Sequence, residues 1–185
     1  MKKLLALLCA AGMALALAAC GGGEQTTTAA PGETTTAAEN ITTTTAAPAA
    51  GATIKIPPPA GWTPNEDTVI LAQYMKSTAS FMAKTENVLA GKDLDAMADE
   101  AKAQLSGSFE NVKYEGGNEK IKVGGKDAVK FTWTGVVASM NFKYVYIYIP
   151  AGSNVYSLTF GDLVESFDTN VTPDIDTILD SITFE

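Results

Sequence analysis

Two serine–lysine pairs, Ser80 with Lys84 and Ser139 with Lys143, are each four positions apart and supply a hydroxyl nucleophile and an amine base. Four positions bring side chains together on a helix. Both pairs fall in stretches of strand-forming residues, where an even spacing shares a face but leaves the groups too far apart to pass a proton. Asp95 and Asp99, at i,i+4 on a helical stretch, could serve metal or acid–base work. The same spacing describes a solvated helix face with mild like-charge repulsion, and that is the reading adopted. Asp168, Asn170, Thr172 and Asp174 set oxygens at alternate positions as a calcium loop does, but Pro173 stands where that loop needs glycine and Leu179 where it needs glutamate. The segment reads instead as turn and cap before the last helix. The chain has no histidine and no arginine, and it shows no nucleophile elbow, phosphate loop or dinucleotide fingerprint. No catalytic residue, metal site or cofactor is expected; a Ser/Lys hydrolase is the remaining enzymatic alternative.

Aromatic residues are the candidates for binding. Tyr144, Tyr146 and Tyr148 alternate along Asn141–Ile149 and so share one strand face. Such a stripe can line a ligand cleft or form a contact surface. More commonly it is core, with hydroxyls reaching the edge beneath a helix. Trp62 stands under the same choice.

The start of the chain carries another chemistry. Met1-Lys2-Lys3 is basic, Leu4 to Leu17 is almost unbrokenly apolar, and Leu17-Ala18-Ala19-Cys20 follows. This is the layout of an export signal over residues 1–19, and its last four residues resemble the bacterial lipobox. The resemblance implies lipid on the Cys20 thiol, cleavage just before it and acylation of the freed amine, a palmitate-type anchor. As an uncleaved helix, residues 4–19 would span roughly 24 Å, short of the ~30 Å hydrocarbon core, and the run stops at Gly21-Gly22-Gly23. Two or three acyl chains anchor stably where one does not.

Cleavage has consequences for the mature chain. Of the 13 lysines two precede the cut, so 11 face 21 acidic residues and the net charge moves from −8 to −10. An acidic, arginine-free exported chain suits neither nucleic acid nor anionic headgroups. Cys9 is discarded with the leader and Cys20 is consumed by lipid, which leaves no thiol and no disulfide to hold the fold. After Cys20, residues 21–52 are mostly threonine, alanine, glycine and proline with a few carboxylates, TTTAA recurs, and no apolar period of 3.6 or 2 appears. They read as a disordered tether with an r.m.s. reach of roughly 30 Å. Asn40-Ile41-Thr42 matches a glycosylation sequon, expected to be unused in a bacterial chain; O-linked sugars on the threonines stay an open alternative.

Residues 53–185 have the length and patterning of one domain. Thr53–Ile56 is a short strand stopped by three prolines, and Gly61-Trp62 is a turn. Thr68–Met75 and Ser80–Thr85 form a strand pair. Asp93 caps a helix to about Leu105, with Leu94, Met97, Ala98, Ala101 and Leu105 on its apolar face. Strands follow at Asn111–Glu115, Lys120–Val123 and Asp127–Val137, separated by hairpin turns at Gly116-Gly117 and Gly124-Gly125. Asn141–Ile149 is apolar on both faces and should be central and covered on both sides; Val155–Phe160 is its neighbour. Thr172 as N-cap and Pro173 at the first position open a closing helix with Ile175, Ile178, Leu179 and Ile182 inward. The class is α+β, an antiparallel sheet flanked by two helices.

The order of these elements resembles a family. An early strand and Pro59-Ala60-Gly61-Trp62 precede a strand pair and a helix. Gly124-Gly125-Lys126 leads to the aromatic strand, Tyr156-Ser157-Leu158-Thr159-Phe160 comes next, and a closing helix ends in Ser181-Ile182-Thr183-Phe184. Over residues 53–185 the chain is similar to the PsbP-like group, which includes lipoproteins of the DcrB and LpqN type. The resemblance implies a PsbP-like α/β sandwich and a non-catalytic accessory or binding role, with no site residue to carry over. Taken together, the expectation is a lipid-anchored protein on the extracytoplasmic face of the cell membrane with a protein partner in the envelope. The alternative is a small-molecule or envelope-polymer binder using Trp62, Tyr144, Tyr146 and Tyr148.

Overall fold

The computed structural model describes residues 51–66 and 70–185. The leader, Cys20, the Asn40 sequon, the tether before Gly51 and Thr68 lie outside the described residues. Seven strands make one antiparallel sheet: β2 (Thr63–Pro64), β3 (Ala72–Lys76), β4 (Ala79–Thr85), β5 (Glu110–Val123), β6 (Lys126–Val137), β7 (Met140–Ala151) and β8 (Asn154–Leu163), in the order β2-β3-β4-β8-β7-β6-β5. A meander from β5 returns through the sheet until β8 pairs with β4. Outside the sheet, β1 (Ile54–Lys55) pairs with β9 (Thr183–Phe184) and closes the domain's two ends on each other. Thr53 and Glu185 exchange backbone hydrogen bonds of 2.7 and 3.0 Å.

Three helices pack on the two faces: α1 (Leu94–Ser108) on one, α2 (Val164–Asn170) and α3 (Thr172–Ser181) on the other. The Asp93 carboxylate accepts the Ala96 N–H at 2.8 Å, so one orphan donor of α1 is satisfied by the expected cap. Met97, Ala98, Ala101 and Leu105 are then buried against Val129, Phe131 and Trp133. On the opposite face Phe167, Ile175, Ile178 and Leu179 pack against Val145, Ile147, Leu158, Phe160 and Phe81. The aromatic strand β7 lies between β8 and β6 with apolar layers on both sides, as its two apolar faces require.

The structure corrects the sequence reading in four places. The stretch read as two strands with a hairpin at Gly116-Gly117 is one strand, β5. Glu115 pairs with Thr132 and Glu119 with Lys130, so β5 carries extra residues there as a bulge. Gly116 absorbs it at φ 69°, because the left-handed freedom that suits a turn suits a bulge equally. Gly124-Gly125 do form the expected hairpin, at φ 54° and 77°. The segment read as turn and cap holds a third helix, α2, whose seven residues are too few to show a period. Because α2 runs straight on into α3, Val171 occupies the cap position with helical angles. Thr172 caps nothing and gives its hydroxyl to Asp168 at 3.2 Å. Finally, the strand expected from Thr68 begins at Ala72.

Candidate functional site

The register arranges the tyrosine face in rows across the sheet. One row runs Met75–Ser80–Gly161–Tyr144–Trp133–Tyr114, the next Gln73–Met82–Thr159–Tyr146–Phe131, and a third Lys84–Ser157–Tyr148–Val129. Directly paired residues share a face, so the large rings sit on β5–β7 beneath α1, and the side chains on β4 and β8 in these rows are without rings. The tyrosines stand on the boundary between the two halves.

They are not equivalent. Tyr148 is buried at 6% exposure, whereas Tyr144 and Tyr146 are half-buried. Tyr144 stacks on Trp133 at 4.7 Å and 21°, and Tyr146 meets the Trp133 and Phe131 rings edge-on. Tyr144 also leans across β8: a Cβ on Gly161 would lie 2.4 Å from its Cε1. Gly161 is therefore the seat that lets the ring lie flat on the neighbouring strand. Burial pushes the Tyr144 hydroxyl up to about 12 and raises those of Tyr146 and Tyr148 further, helped by neighbouring tyrosines and the Glu86 carboxylate. These phenols stay protonated and cannot serve as bases near neutrality. Two buried polar atoms on this face, Trp133 Nε1 and Ser157 Oγ, have no hydrogen-bond partner among the described residues.

Trp62 lies elsewhere. It is 6% exposed and belongs to the core on the α2–α3 side, so the structure does not bring it together with the three tyrosines. The chain turns into it over Pro59–Trp62, closed by a 3.1 Å bond from Trp62 N–H to Pro59 O, with Gly61 at φ 79°. Its indole N–H donates to Asp174 Oδ2 at 2.9 Å.

The remaining groups with chemical potential are tied into the fold. Ser80 and Lys84 are four residues apart along β4, roughly 13 Å, and Lys84 pairs with Glu86 at 2.5 Å. Ser139 sits in the β6–β7 turn, and Lys143 pairs with Glu115 at 3.1 Å and Asp168 at 3.5 Å. Asp95 pairs with Lys120 at 2.8 Å on the exposed side of α1, which fits the solvated-face reading. The oxygens that resembled a calcium loop diverge. Asp168 takes Thr172 and Lys143, Asn170 donates to the buried Asp162 at 2.8 Å, and Asp174 takes Trp62 and Lys76. Among the described residues no group of three or more His, Cys, Asp or Glu could hold a metal ion, and no helix is long and apolar enough to cross a membrane.

No protein-family model matches the chain, and no curated protein matches it in sequence. Solved structures do match. LpqN of Mycobacterium tuberculosis, described as involved in cell envelope biogenesis, is similar at TM-score 0.55 and 13% identity, over 72% of this chain and 84% of that one. The likeness is one of fold. A Pseudomonas aeruginosa protein of unknown function is similar at TM-score 0.52 and 11% identity, over 70% and 81% of the two chains. A cyanobacterial PsbP from Synechocystis sp. PCC 6803 stands further off at TM-score 0.46 and 9% identity, over 73% and 93%. The antiparallel sheet with helices on both faces is thus an α+β architecture shared with LpqN. No catalytic family appears among these neighbours.

Proposed function

We propose that this chain is a non-catalytic binding or accessory lipoprotein, held by lipid on Cys20 at the extracytoplasmic face of the cell membrane and acting on a protein partner in the envelope. The observation that carries the reading is the fate of the reactive side chains. Each serine–lysine pair is held apart, each candidate carboxylate is spent on a separate structural contact, and the tyrosine hydroxyls are locked in the protonated form. What remains for function is surface. LpqN, with the same fold, is described as involved in cell envelope biogenesis, and the leader and Cys20 supply this chain's own address to that compartment.

Mass spectrometry of the mature N-terminus tests the anchor: a diacylated or triacylated Cys20 is expected, and Cys20→Ala should leave full-length precursor. Cleavage elsewhere, or an unmodified Cys20, overturns it. Affinity capture from membranes with the tethered chain tests the partner, and repeated failure to enrich any envelope protein counts against that half of the reading. A second reading, binding of an envelope polymer on the aromatic face, draws support from the half-buried Tyr144 and Tyr146. It predicts that Tyr144→Ala abolishes retention on isolated envelope polysaccharide while Trp62→Phe does not. Equal retention by both variants would end it.

A further inference from the structure

We draw no further inference here: the strongest candidate, the β4–β8 half of the tyrosine face with its buried Ser80, Ser157 and Thr159, carries nothing because nothing among the described residues shows what covers it.

Discussion

The Trp62 indole N–H and the Lys76 ammonium meet on one oxygen, Asp174 Oδ2, at 2.9 and 2.5 Å. The contact joins the turn after β1 and the hairpin β3–β4 to the first turn of α3, with Trp62 and Lys76 lying 112 and 98 positions before Asp174 in the chain. Burial alone would raise the Asp174 pKa. The hydrogen bonds from Lys76 and Trp62, with the Lys76 charge, outweigh it and hold the carboxyl below its ordinary 3.8.

Removing that carboxylate should therefore be felt at neutral pH and not in acid. Asp174→Asn is expected to cost about 1–2 kcal/mol at pH 7. A depressed folded-state pKa contributes stability above the unfolded value that is lost as pH falls through the folded one. The difference from wild type should accordingly shrink as pH drops below 3.8. Urea unfolding at pH 7 and at successively lower pH checks this; a gap that is constant with pH would assign the loss to packing instead.

Gly161 and Tyr144 should behave as one unit. A Cβ at Gly161 would overlap the Tyr144 ring at 2.4 and 2.6 Å, so Gly161→Ala is expected to cost about 1–3 kcal/mol through overpacking. In Tyr144→Ala the ring is absent, and adding Gly161→Ala should then cost little. A double-mutant cycle by chemical unfolding measures the coupling; additive effects would mean that the ring does not rest on the glycine.

Why the sequence revealed the α1 face and missed α2 follows from the lengths involved. Asp93, Met97, Ala98, Ala101 and Leu105 repeat over three turns, enough for capping and period to agree. The seven residues of α2 hold one buried side chain, Phe167, and no period can be read from one residue. Gly116-Gly117 misled for a different reason, since bulge and turn ask for the same positive φ and only pairing with β6 decides between them. The tyrosines were legible as a stripe, but their unequal burial depends on where α1 ends across the sheet.

Alkaline stability should report the buried phenols. Tyr144 is held up to about 12, and Tyr148 higher, by burial. Above pH 10 the unfolded chain gives up these protons and the folded chain keeps them, so each raised phenol lowers stability by up to about 1.4 kcal/mol per pH unit until its folded pKa is reached. Tyr148→Phe should match or approach wild-type stability at pH 7 and lose it less steeply between pH 10 and 12. Unfolding midpoints at pH 7, 10 and 11.5 are sufficient, and parallel pH profiles for both proteins would show that the Tyr148 hydroxyl titrates freely.

The turn joining β6 to β7 should be improvable. Ala138 and Ser139 both sit at positive φ, 50° and 66°, the pattern of a tight hairpin that favours Asn-Gly. A side chain with Cβ in that region costs about 1–2 kcal/mol per residue, partly offset by the entropy that glycine loses on folding. Ala138→Asn with Ser139→Gly is thus expected to raise stability by about 1 kcal/mol, read as a shift in the urea midpoint at constant slope. A midpoint that stays put or falls would show that Ala138 and Ser139 sit at positive φ without strain to relieve.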